Sequence, residues 1–247
     1  MLSIMVIGTA GSGKSALTAA FSEWLSNLEK KVGTINLDPG VKWLPYSPDV
    51  DIREYISIDE VMEKYGLGPN GALIACVDMM SNYIQEVREE VRDLGVDYLI
   101  IDTPGQMELF AFRSTGPYIT AKIGGEKLIV LCLLDSMFTK YPSDFISILL
   151  LATSVQYRFL KPQINVISKS DMLSTEEKMR IDSWIENPDE LRAAVMDERQ
   201  VMRRELSKRI SEIISLELLA DLVFTSAATW EGFDNLYALI QRIAGEV

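Results

Sequence analysis

One run of residues near the start, Gly8-Thr9-Ala10-Gly11-Ser12-Gly13-Lys14-Ser15, constrains the fold of this chain more than any other stretch. It fits the pattern G-x-x-x-x-G-K-[ST], in which the backbone N–H groups of a glycine-rich loop cradle phosphate. Its flanks read as the supporting elements. Leu2 to Ile7 is an apolar run of strand length, and Ala16 to Leu28 carries Leu17, Ala20, Phe21, Trp24, Leu25 and Leu28 at helical spacing. Strand, loop and helix N-terminus together make an anion nest backed by the positive end of a helix dipole. Gly11, Ser12, Gly13 and Ala16 belong to that nest. Lys14 is expected to bridge the outer phosphates and the Ser15 hydroxyl to ligate Mg²⁺. The expected ligand is a nucleoside triphosphate.

Composition narrows the chemistry. The 247 residues suffice for one large core, so a single domain spanning 1–247 is expected. No apolar run reaches the length of a membrane span, and the N-terminal run leads into the glycine loop, which excludes a signal peptide. A net charge of −12 argues against general affinity for nucleic acid or anionic membrane. The one basic cluster, Arg203-Arg204 with Lys208-Arg209, is interleaved with Glu198, Glu205 and Glu212 and reads as a solvated helix face. Cys76 and Cys132 lie in apolar surroundings without ligand spacing, as small core residues of a cytoplasmic protein would. The chain has no histidine, so catalysis must rest on carboxylates, amides, lysine and metal.

Strands alternate with helices along the chain. Strands are expected at Val32–Leu37, Tyr98–Asp102, Lys127–Leu134, Gln163–Ser168 and Leu222–Thr225. Helices are expected at Asp51–Ile56, Ile58–Tyr65 capped by Ser57, Met80–Leu94, Ser143–Leu160 and Phe233–Ala244, with Gly66–Gly71 a helix breaker. The charged stretch from Thr175 to about Ala220, interrupted near Asn187-Pro188, predicts a helical insertion over about 175–215, a small projection. The fold class is α/β: a three-layer, mostly parallel sheet with helices on both faces.

Candidate chemistry clusters at strand ends, where open α/β sheets bind ligands. Asp102-Thr-Pro-Gly105 follows an apolar strand; there Asp102 would hold the Mg²⁺ shell through water and the Gly105 amide would sense the γ-phosphate. Ser168-Lys169-Ser170-Asp171 is similar to the base-reading N-K-x-D motif, with serine for asparagine. A buried Asp171 carboxylate would accept from guanine N1–H and N2–H, donors that adenine does not offer together. The Lys169 stem would pack along the base. Ser226-Ala227 would add a backbone donor for guanine O6. Asp38, Gln106 and Glu108 are three candidates for holding the attacking water, with Asp38 also able to reach Mg²⁺ through water.

These motifs, with Gly68-Pro69-Asn70 between the second and third strands, together resemble the GPN-loop GTPases from Met1 to the last helix. The chain looks like an archaeal member, within the broader class of dimeric P-loop proteins that includes MinD. The resemblance implies a homodimer with facing nucleotide sites, hydrolysing GTP to GDP and phosphate. It also implies that the Gly68-Pro69-Asn70 loop of one subunit enters the partner's site, where Asn70 meets the terminal phosphate. Dimeric ATPases of the MinD type carry an extra lysine early in the loop; here that region reads Thr9-Ala10, and no arginine is marked as a finger. Asn70 would then supply a dipole that Lys14 and Mg²⁺ leave wanting. Eukaryotic relatives are linked to RNA polymerase assembly, which implies a molecular switch with a protein client. A P-loop kinase, a MinD-like ATPase and a nucleotide-gated scaffold remain as alternatives.

Overall fold

Alternating side chains give one sheet two cores. In a strand, successive Cβ atoms point to opposite faces. In β1 (Leu2–Gly8), Met5 and Ile7 join one apolar cluster while Leu2, Ile4 and Val6 join another. β4 (Tyr98–Asp102) divides likewise, Leu99 and Ile101 to the first cluster, Tyr98 and Ile100 to the second. The remaining strands are β2 (Val32–Asn36), β3 (Val50–Asp51), β5 (Leu128–Asp135), β6 (Gln163–Ser168) and β7 (Leu222–Phe224). The structure, a computed structural model, describes residues 1–197, 201–211 and 221–245.

The seven strands pair in the order β3-β2-β4-β1-β5-β6-β7, every pair parallel. α1 (Lys14–Asn27) and the final helix α11 (Phe233–Ala244) cover one face. There Phe21 meets Phe233 edge to face at 5.3 Å, and Trp24 packs against Tyr237. The other face carries α2 (Ile58–Tyr65), α3 (Pro69–Met79), α4 (Ile84–Asp93), α5 (Met107–Ala111), α6 (Thr115–Ile123) and α7 (Pro142–Phe159). This is the three-layer α/β architecture that the pattern predicts.

Several local expectations change. The 175–215 stretch forms α8 (Thr175–Glu186), α9 (Pro188–Met196) and α10 (Val201–Ser211), with 198–200 and 212–220 outside the described residues. It is not a projection over its described part. Ile181, Trp184, Leu191 and Val195 are buried in the core cluster, and Trp184 stacks on Phe145 of α7 at 5.9 Å. The basic cluster lies partly outside what is described: Glu198 and Glu212, with the side chains of Arg203, Lys208 and Arg209. Asp51–Ile56 is not a helix, because Val50–Asp51 adds an edge strand before a 3₁₀ turn over Ile52–Glu54. The helix expected from Met80 begins at Ile84, after a second 3₁₀ turn. Ser57 caps α2 as predicted, accepting from the Glu60 N–H at 3.3 Å. Cys76 and Cys132 are buried free thiols. Among the described residues no helix is long and apolar enough to cross a membrane.

The strand order sets the position of the site. From β1 the chain runs outward to β3, returns to place β4 beside β1, then crosses to β5 on the other side. The crevice at that reversal opens at the C-terminal ends of β1 and β4. Register aligns the chemistry there: Asp102 pairs with Val6 and Asn36, and Asp135 with Ser168.

Candidate nucleotide site

The loop after β1 takes its shape from three glycines. Gly11 and Gly13 have φ of 78° and 92°, a region that side chains rarely adopt. A Cβ on Gly8 would lie 2.7 Å from Ser12 Oγ and 2.8 Å from the Leu133 carbonyl of β5. Lys14 opens α1 and folds back over the loop. Its Nζ donates to the carbonyls of Gly8 at 2.9 Å, Thr9 at 3.0 Å and Gly105 at 3.3 Å. Burial lowers its pKa, opposed by the charges of Asp102, Asp38 and Glu108. An ammonium held by neutral carbonyls is ready for exchange, since a phosphate oxygen adds the attraction of a full negative charge that a carbonyl dipole does not offer. The cleft in front holds about 240 Å³, with Lys14, Ser15, Asp38 and Gly105 among its walls.

Asp102 is buried at 1% exposure. Burial pushes its carboxyl up to about 6, against hydrogen bonds from Ser15 and Tyr46 and the charge of Lys14. The Tyr46 hydroxyl donates to Oδ2 at 3.0 Å, while Oδ1 is buried without a hydrogen-bond partner. Ser12 Oγ is a second such atom. An unpartnered carboxylate oxygen beside the Ser15 hydroxyl, with Asp38 on the same cleft, is a hard-oxygen donor set that fits Mg²⁺. Among the described residues no group of three or more His, Cys, Asp or Glu gathers as a metal cage. Mg²⁺ bound through one or two protein oxygens, with waters and phosphates completing the shell, needs none.

Asp38 does something the sequence did not disclose. Its Oδ2 accepts the Gly105 N–H at 2.8 Å and its Oδ1 the Gly40 N–H at 2.9 Å. The Gly105 amide assigned to the γ-phosphate is therefore engaged by Asp38 in this state. Asp38 is held in turn: its N–H donates to Asn36 Oδ1 at 3.0 Å, and Asn36 Nδ2 donates to Asp51 Oδ1 at 2.8 Å. Burial alone would raise the Asp51 carboxyl, but hydrogen bonds from Arg53 and Asn36 outweigh it and hold it below the ordinary value. Arg53 also straps the Val41 carbonyl at 3.1 Å. Asn36, Tyr46, Asp51 and Arg53 were missed because their roles are contacts across loops, with no spacing signal. Gln106 is the half-buried N-cap of α5, and Glu108 is exposed in its first turn, close enough for its charge to act on Lys14.

At the other end of the cleft, serine takes over a structural task. Ser168 Oγ donates to the Ser12 carbonyl at 2.7 Å, tying the β6 turn to the P-loop. Lys169, in the left-handed region at φ 58°, reaches the Gly11 carbonyl at 2.6 Å and Asp135 Oδ2 at 2.7 Å. Asp135, at the end of β5, is a further residue without a sequence signal. Asp171 is exposed, not buried as expected, and its Oδ1 accepts from the Ser226 hydroxyl at 2.6 Å. It is the middle residue of a 3₁₀ turn, Ser170–Met172, at the surface just beyond the end of β6. Ser226 donates its amide to the Glu231 carbonyl at 3.0 Å, so of the Ser226-Ala227 pair the backbone donor for a base falls to Ala227.

Gly66 ends α2 in the left-handed region at φ 61°, as expected of a breaker, but the break is shorter than expected: Gly68-Pro69-Asn70 already starts the next helix. Gly68, at φ −73° and ψ 169°, is the N-cap of α3 and Pro69 occupies its first turn, where proline's missing N–H costs nothing. All three residues are exposed, and none lines the P-loop cleft of its own chain.

Comparison with known proteins agrees with this geometry. Residues 6–246 match the family described as "Conserved hypothetical ATP binding protein". A GPN-loop GTPase of Pyrococcus abyssi is 34% identical over 96% of this chain and 94% of its own length. GPN-loop GTPase 2 of Saccharomyces cerevisiae is 34% identical over 98% of this chain and 74% of its own length. The crystal structure of an apo-form GTPase from Pyrococcus abyssi superposes with a TM-score of 0.88 at 33% identity, covering 98% of this chain and 97% of that one. With identity of about a third to GPN-loop GTPases over nearly its whole length, and a fold that superposes on one of them, the chain belongs to the GPN-loop GTPase family.

Proposed function

We propose that this protein hydrolyses GTP to GDP and phosphate with Mg²⁺, as a homodimer in which Asn70 of one subunit meets the terminal phosphate in the other's site. The observation that carries the chemistry is the convergence of Lys14, Ser15, Asp38 and Gly105 on one cleft beside buried Asp102. Lys14 leaves its three carbonyls for the outer phosphates. Ser15 and Asp102, the latter through water, would hold Mg²⁺, which neutralises charge on the β- and γ-oxygens. As a γ-phosphate takes the Gly105 amide, Asp38 is released to orient the attacking water, with Gln106 next to it. Phosphoryl transfer needs that water positioned more than deprotonated. Asp171 selects guanine over adenine, in line with the GTPases among its relatives rather than the wording of the family description.

Action in trans is supported by two features. Asn70 is exposed at a helix start outside its own cleft. Exposed apolar side chains, Trp43, Met137, Phe138, Tyr141 and Met172, follow β2, β5 and β6, so in this all-parallel sheet they border the nucleotide edge. Two nucleotide edges facing each other would bury them. A cytoplasmic switch that times assembly of a protein client such as RNA polymerase is the cellular role we assign to such a cycle.

Mixing subunits tests this. Asn70→Ala should lower turnover by roughly a hundred- to a thousandfold, the range for one preorganised donor, with nucleotide affinity nearly unchanged. Lys14→Ala should be inactive. Mixed dimers of the two variants contain one complete site and should regain activity. Mixed dimers that form, shown by two-tag pull-down, yet turn over no faster than either parent would sink action in trans.

A further inference from the structure

We infer that the Asp78–Arg113 ion pair, joined by Thr115, positions Asn70 by fixing helix α3 to the segment that follows Gln106. The inference rests on the proposed role of Asn70. Asp78 lies near the C-terminal end of α3, and Asn70 in its first turn, about 12 Å away along the axis at 1.5 Å per residue. A helix of this length moves as one body, so what holds Asp78 also places Asn70.

The buried side of α3 is made of Ala72, Leu73, Cys76 and Val77, whose apolar contacts are non-directional and by themselves fix no single setting of the helix. Among the described residues, the side-chain hydrogen bonds that tie α3 to another element meet at Asp78. Arg113 Nε and Nη2 fork onto both Asp78 oxygens at 2.9 and 2.5 Å, and the Thr115 hydroxyl donates to Oδ1 at 3.0 Å. Paired guanidinium–carboxylate bonds fix angle as well as distance. Arg113 is itself on stiff ground between α5 and α6. A Cβ on Gly116 would fall 1.9 Å from the Phe110 carbonyl, so these two short helices meet in close backbone contact. Near its other end α3 touches the Asp38 turn, where a Cβ on Gly40 would lie 3.4 Å from both Leu73 Cδ1 and Asp38 Oδ1. The helix that presents Asn70 thus spans the two turns expected to move with the terminal phosphate. Its anchor is a positioning residue pair that spacing alone does not reveal.

A half-exposed pair contributes little to stability, so the two roles separate. Asp78→Asn should leave the melting temperature unchanged, and the KM for GTP and the GDP affinity within about twofold of wild type. Turnover should fall about tenfold, below the roughly hundredfold that an ångström of misplacement can cost. Arg113→Lys, which keeps charge and loses the fork, should show the same split. Added to Asn70→Ala, Asp78→Asn should cost nothing more, and mixed with Lys14→Ala subunits it should regain activity as Asn70→Ala does. An equal tenfold loss in the Asn70→Ala background, or no rescue where Asn70→Ala is rescued, would overturn the inference. If Asn70→Ala alone leaves turnover intact, the role of Asn70 fails and the positioning role fails with it.

Discussion

Single residues at this site trade stability for chemistry, and Asp102 shows the sign most plainly. Its carboxyl is raised by burial from 3.8 to about 6. A carboxyl raised by folding stabilises the chain only while protonated, fully below about pH 3.8 and not at all above about 6. At pH 7 its ionised form therefore costs about 3 kcal/mol. Asp102→Asn should raise the melting temperature of the nucleotide-free protein by several degrees at pH 7, with the gain shrinking towards pH 4, and should abolish hydrolysis. A lower melting temperature at pH 7 would contradict the burial account. Asp171→Asn should weaken GTP binding by about 2 kcal/mol and favour xanthine nucleotides, whose added carbonyl accepts where guanine donates. Full GTP affinity with no gain for XTP, read by nucleotide titration, would remove Asp171 from the base site.

At the scale of elements, the ends of strands are tied to one another before any ligand enters. Ser168 holds the β6 turn to the P-loop through the Ser12 carbonyl, and Lys169 reaches the neighbouring Gly11 carbonyl. Ser168→Ala should leave the fold unchanged and speed GDP release severalfold, since a neutral hydrogen bond is worth about 1 kcal/mol. Stopped-flow displacement of a fluorescent GDP would register it; an unaltered rate would mean that Lys169 alone sets the loop. Serine does here what the departure from N-K-x-D left open. The start of α3 carries a similar lesson. Gly-Pro reads as a turn by composition, yet proline in a first turn begins a helix, and the apolar Ala72, Cys76 and Val77 commit that helix to the core.

At the scale of the whole molecule, each chain supplies its own P-loop but offers Asn70 outward. Specific turnover should therefore fall on dilution, in step with loss of the dimer by sedimentation velocity. Turnover independent of protein concentration, across a range where the protein becomes monomeric, would rule out the paired site.

The architecture was legible from residue order because parallel strands buried on both faces read as largely apolar runs, as β1, β4 and β5 do. The residues proposed to meet phosphate, metal and base stand out in the sequence for a different reason: the backbone conformation and charge such roles need restrict residue type at fixed offsets from strand ends. Tertiary structure alone decided the rest. That Asp38 occupies the Gly105 amide, that Tyr46 caps Asp102, and that Arg113 anchors α3 depend on segments 35 to 67 residues apart meeting across loops. No periodicity or local spacing encodes such contacts, because side-chain hydrogen bonds between loops place no constraint on the residues in between.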